Sequence, residues 1–169
     1  MATKSAPTSA SKAAGNSRPI ASNRRARHDF SILETVEAGI ELRGSEVKSL
    51  RLGNVQLADA YARVERGQIW LEGVHIAPYA FAHGVGSHDP DRRRRLLLHS
   101  EEISKLSDRI AQERLTLVPL SLYLKEGRVK VELGLAKGRT KGDKRQAIAE
   151  RDADREIQKA LGRQRKGIE

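Results

Sequence analysis

Apolar residues recur at every second position over most of the middle of the chain and at every third or fourth over only a few short stretches. That pattern predicts short half-buried strands with few helices. Val129, Val131, Leu133 and Leu135 alternate with Arg128, Lys130, Glu132 and Gly134, which gives one clear strand. Phe30, Ile32, Val36, Ile40 and Leu42 keep even register and predict one long strand, or two broken near Gly39. Tyr61 to Arg66 and Gln68 to Glu72 flank Gly67 as a hairpin. Trp70, set between Ile69 and Leu71, reads as an anchor for the body. Leu115 and Leu117 occupy odd positions, but Leu120, Leu122 and Leu124 occupy even ones. The flip at Val118-Pro119 predicts a bulge in an edge-like stretch, and Glu126-Gly127 supplies the turn into the Arg128 strand.

Two stretches follow the helical period instead. Ser45 as N-cap, Val47 and Leu50 on one face, and Gly53 as a stop predict a short helix that leaves Lys48 and Arg51 together on another face. Ser100 as N-cap, Glu101 and Glu102 in the first turn, and Ile103, Leu106 and Ile110 predict a second. Between them, Ala77 to Asp91 holds two prolines and two glycines and reads as a long loop. Strands joined by hairpins without a βαβ rhythm must hide their edges. The expected fold is therefore mainly β, a small closed antiparallel barrel of OB type with two short inserted helices and a basic C-terminal arm. The arm's stripe of Ala149, Ala153, Ile157, Ala160 and Leu161 is thin, so Gln146 to Leu161 is expected to be disordered when free and helical on a partner. The expected organisation is a disordered leader over 1–22, an OB-like β-barrel body over 23–137 and a basic tail over 138–169.

Charge sharpens this division. Residues 1–27 carry six Lys/Arg and no acid, residues 137–169 carry eleven against six, and the stretch between carries fifteen against sixteen. A near-neutral body with two basic extensions is the footprint of a polyanion binder. The chain has no cysteine, which removes disulfide frameworks and thiolate metal sites. No signal-peptide core and no stretch of membrane-spanning length is present, so a soluble cytoplasmic protein is expected. Nothing suggests an extended apolar interface, and a monomer is expected.

Catalytic chemistry finds no seat. None of the five histidines has a zinc spacing, no G-x-S-x-G turn occurs, and the glycines at 134, 138 and 142 lack the lysine-serine ending of a P-loop. His83, His88 and Asp89 are the one set from which a nuclease could be imagined, but they lie in a glycine-rich loop. We expect no enzyme, no cofactor and no metal. The basic clusters offer more. Asn23, Arg24, Arg25 and Arg27 can donate to phosphate with His28 beside them, and Arg92, Arg93, Arg94 and Arg95 offer four guanidiniums at a strand entrance. Arginine binds phosphate bidentately and stacks on bases, which suits folded RNA, whereas few aromatics argue against reading single strands by stacking. Glu37 is the odd acid on such a body, with two readings: it accepts from a base amino group, or it pairs with a nearby arginine.

Six ordered strings now come together: Asn23-Arg24-Arg25-Ala26-Arg27-His28, Glu37-Ala38-Gly39-Ile40, Gly44 to Arg51, Asp89-Pro90 to Leu98-His99, Leu122-Tyr123, and Lys130 to Gly138 with Asp143-Lys144-Arg145. Over residues 20 to 160 the chain resembles the SsrA-binding protein family. The resemblance implies a ribosome-rescue adaptor with an OB-type barrel. It would bind the tRNA-like domain of transfer-messenger RNA and travel, with elongation factor Tu and GTP, to ribosomes stalled on messages without a stop codon. It ties Asn23, Glu37 and Leu97 to RNA binding, and it implies that the tail, with Lys137, Arg139, Lys141, Asp143, Lys144 and Arg145, acts in the decoding centre and mRNA channel. Arg25 and Arg95 replace lysines common in the family, which keeps phosphate binding. Gly142 stands where an aromatic or histidine is common, so no stacking role carries over to it. The alternative is a general OB-fold, ribosome-associated RNA binder without a dedicated partner.

Overall fold

The structure is a computed structural model that describes residues 17–166. Its framework is antiparallel β-sheet: β1 (Ser17–Ser22), β2 (Phe30–Ile40), β3 (Val55–Gln56), β4 (Tyr61–Glu65), β5 (Gln68–Glu72), β6 (His75–Ile76), β7 (Arg94–Leu97), β8 (Thr116–Lys125) and β9 (Arg128–Gly138). Four helices complete it: α1 (Arg24–Asp29), α2 (Gly44–Arg51), α3 (Ser100–Glu113) and α4 (Lys141–Lys166). Pairings run from β9 to β8, β8 to β4, β4 to β5, β5 to β7, β7 to β2 and β2 back to β9. β3 and β6 form a separate small ribbon.

The two hairpins close as their turn residues dictate. Arg66 and Gly67 have φ of 51° and 71°, and Glu126 and Gly127 have 52° and 75°. Positive φ at both central positions gives a turn whose twist matches that of the flanking strands. The main core is aliphatic, with Leu71, Ile69, Leu117, Leu122, Leu133 and Leu135 at its centre. A second, smaller core holds Ala26, Val118, Leu120 and Ala136 on the outside of the sheet, capped by α1.

Several expectations need correction. Ser17–Ser22, expected within the leader, is a strand paired with β8; residues 1–16, the rest of that expected segment, lie outside the described residues. The register does shift in β8, between Pro119 and Ser121, but β8 is no edge. It has β9 on one side and β1 and β4 on the other. The shift lets Leu117 and Leu122, an odd and an even position, face the same main core while Val118 and Leu120 face the outer one. β2 takes the first of its two alternatives, one strand through Gly39, but it ends at Ile40 and leaves Leu42 outside. The cluster after Asn23 does not run straight into β2 but first forms α1. The caps also sit elsewhere: Arg43 and His99 occupy the N-cap positions, where Glu46 and Glu102 accept from their backbone N–H groups at 2.7 and 3.0 Å. The arm's helix is longer than its apolar stripe, running from Lys141 to Lys166.

Candidate nucleic-acid interface

α1 exists because Asn23 starts it. The Asn23 Oδ1 accepts from the Ala26 N–H at 3.0 Å, and its Nδ2 donates to the Leu57 and Pro119 carbonyls at 2.9 and 3.1 Å. Its own N–H donates to Leu120 O at 2.8 Å. At 4% exposure, Asn23 is committed to the protein and is not the phosphate donor expected of it. What it does is hold Arg24, Arg25 and Arg27 outward on one turn of helix. Arg25 meets Asp59 at 3.0 Å and Asp29 at 3.5 Å, Arg27 lies 3.7 Å from Glu132, and His28 Nδ1 is 3.0 Å from Asp29.

The four arginines of the second cluster, two just before β7 and two in it, turn alternately inward and outward. Arg94 is fully buried: its Nε donates to Glu46 at 2.9 Å, and its two amino groups donate to Val74 O at 2.9 Å and Pro90 O at 3.0 Å. Arg92 donates twice to the same carboxylate, at 2.8 and 2.7 Å. Burial alone would raise the Glu46 pKa, but the bonds from Arg92, the Arg43 backbone and Arg94 outweigh it and hold the carboxyl below its ordinary range. Arg92 and Arg94 therefore tie α2 to the entrance of β7 and are not the free guanidiniums expected. Arg93 and Arg95 remain outward. The Arg93 guanidinium stacks 4.3 Å from the Trp70 ring centre and bonds Glu65 at 3.0 Å, and Arg95 lies 3.0 Å from Glu41.

Glu37 projects from β2 opposite Glu132 of β9. Its carboxylate accepts from the Tyr123 hydroxyl and from Lys125 Nζ at 3.2 Å, so its partners are a tyrosine and a lysine, not an arginine. The Tyr123 bond, with Lys125 second, holds Glu37 below the usual carboxylate range, while burial and the same bond push the Tyr123 hydroxyl up. Ser121 donates to Glu132 at 3.0 Å, which relieves the facing acids. Leu97, 49% exposed, lies across from Gly39. A side chain at 39 would put its Cβ 3.2 Å from that of Leu97, so the glycine admits the leucine to the edge of the Glu37 surface. Glu37, Leu97, His99 and Lys130 line one open cleft.

The arm leaves the body beside α1. The Arg139 N–H donates to Asp29 O at 3.0 Å, Lys144 Nζ meets the Asp29 carboxylate at 3.1 Å, and Arg151 donates to Arg27 O at 2.9 Å. Asp143 accepts from the Thr140 N–H and hydroxyl at 3.1 and 2.7 Å, a brace across the first turn of α4. Lys137, Lys141 and Arg145 are exposed. Lys48 and Arg51 point outward from α2, away from the buried Leu50 and Ser49. His88 is buried, with its Nε2 3.0 Å from Ile76 O and its Nδ1 2.8 Å from the Ser45 hydroxyl. Both ring nitrogens are used in packing, so His88 is not presented to a substrate alongside His83 and Asp89. Among the described residues no group of His, Asp and Glu could hold a metal ion, and no helix is long and apolar enough to cross a membrane.

A family model described as SmpB protein matches residues 20–163. The chain belongs to the SmpB family. An SsrA-binding protein of Saccharopolyspora erythraea is 54% identical over 148 residues, 88% of this chain and 93% of the relative. One from Mycolicibacterium smegmatis is 54% identical over 156 residues, 92% and 96% of the two chains. A solved chain described as "tmRNA-SmpB: a journey to the center of the bacterial ribosome" superposes with a TM-score of 0.60 at 48% identity, covering 76% of this chain and 93% of that one. In this SmpB chain the residues that sequence reasoning missed are Tyr123, Lys125 and Glu132. They are outward positions of the β8–β9 hairpin, and the alternation of that hairpin was the signal that could have found them.

Proposed function

We propose that this protein is the tmRNA-binding adaptor of trans-translation, which brings transfer-messenger RNA to stalled bacterial ribosomes. Its membership of the SmpB family carries the reading, and the likeness to a tmRNA-SmpB chain on the ribosome supports it. The ring of strand pairings supports a closed OB-type barrel as the body. On that body the exposed arginines of α1 take phosphates and the Glu37–Leu97 surface meets bases of the tRNA-like domain, with Asn23 acting through α1. The arm, a helix over Lys141–Lys166, acts in the decoding centre and mRNA channel, with Lys137, Arg139, Lys141, Lys144 and Arg145 facing ribosomal RNA. Elongation factor Tu with GTP joins through the alanylated RNA, and the protein works as a cytoplasmic monomer without cofactor.

The deciding experiment is a competition gel shift at about 0.2 M salt, where binding that is electrostatic alone is much weakened. Labelled tRNA-like domain of transfer-messenger RNA should resist competition by bulk transfer RNA. Equal competition would leave a general OB-fold RNA binder and withdraw the dedicated partner.

A further inference from the structure

The loop between β6 and β7 gathers two of the chain's few aromatics, Tyr79 and Phe81, apart from the residues that line the Glu37 cleft. The rings meet edge to face, with centroids 5.5 Å apart and planes inclined by 62°. Phe81 is 78% exposed, more than any other large apolar side chain among the described residues. The Lys48 ammonium stands 5.3 Å from the centre of the Tyr79 ring. Between α2 and this loop runs an open cleft of about 550 Å³, lined by Arg43, Lys48, Tyr79, Phe81 and His83 and by no acidic residue among those described. Several surface arginines elsewhere are matched by acids, Arg25 by Asp59, Arg93 by Glu65 and Arg95 by Glu41.

The geometry points to this cleft as a second nucleic-acid site, one that takes an unpaired nucleotide of RNA with its base on the open face of Phe81 and its phosphate between Lys48 and Arg43. The inference rests on the RNA-binding reading above. Tyr79 props the Phe81 ring from its side and leaves a broad face to water, which a planar ring would cover. The cations stand within the same cleft with no carboxylate to satisfy them, so the missing partner is an anion joined to an aromatic ring. A nucleotide is both. The base must be unpaired, because a stacked duplex offers no free face. Scarcity of aromatics argues against stacking along a strand; two aromatics in one loop are enough for one base.

The test uses the full chain labelled with 4-fluorophenylalanine, in which the only labelled positions are Phe30 and Phe81. The Phe81 resonance is assigned by its loss in Phe81→Leu. Titration with an unstructured uridine decamer should shift it, Phe81→Ala should weaken decamer binding about tenfold, and Phe81→Trp should restore it, in line with the usual strength of a base stacked on an aromatic. An unmoved Phe81 resonance at saturating decamer overturns the site. So does a shift produced by an acidic aromatic peptide but not by RNA, which would make the cleft a protein contact. The competition with transfer RNA probes the partner reading separately, so failure of one is distinguishable from failure of the other.

Discussion

Tyr123 decides how Glu37 is presented. Its hydroxyl and the Lys125 ammonium hold the carboxylate ionised and fixed on the sheet surface, where it can accept from a base amino group. Replacing Glu37 with alanine should weaken binding of the tRNA-like domain about tenfold in a gel shift, with an unchanged circular dichroism spectrum. The pH dependence has a definite sign. The folded pKa of Glu37 lies below its ordinary 4.5, so its contribution to stability is full above that value and is lost as pH falls through the lower folded one. The difference in melting temperature between the wild type and Glu37→Gln should therefore hold from pH 7 to about 5 and close in more acid solution. Glu37 was legible as an acid out of place. Its partner was not, because Tyr123 is 86 residues away and meets it only after register shifts in β2 and β8.

At the scale of elements, three side chains that read as RNA contacts, Asn23, Arg92 and Arg94, are fasteners. Asn23→Ala removes the cap of α1 and leaves two carbonyls without their donor, which should cost about 2–4 kcal/mol in urea denaturation and speed amide exchange over residues 24–29. Loss of RNA affinity without loss of stability would return Asn23 to the contact surface. Glu46→Ala strands the buried Arg94 charge and should cost about 3–5 kcal/mol by the same measurement. The arginine run was visible in the sequence, but its division was not. A run of one residue type carries no period, and only the register of β7 against β5 and β2 tells which guanidiniums turn inward. The hairpins, by contrast, were legible because positive φ at Gly67 and Gly127 is a local demand.

For the whole molecule, the charge count anticipated two basic ends but not that they meet. Asp29 draws Arg25, His28 and Lys144 together, so α1 and the root of α4 form one cationic side. Removing residues 142–169 should leave affinity for the tRNA-like domain within about tenfold and abolish tagging on stalled ribosomes in a reconstituted translation assay. Lost affinity would place the RNA site on the arm. The β2–β9 ladder joins Phe30–Gly39 to a strand near the other end of the chain. During synthesis β2 must wait for it, since long-range pairing comes only after the intervening loop is complete. A chain ending at Gly127 should be open along two strand edges and quickly digested by protease. A message for this protein broken before the β9 codons therefore cannot yield a folded partial copy that competes with intact molecules for the RNA.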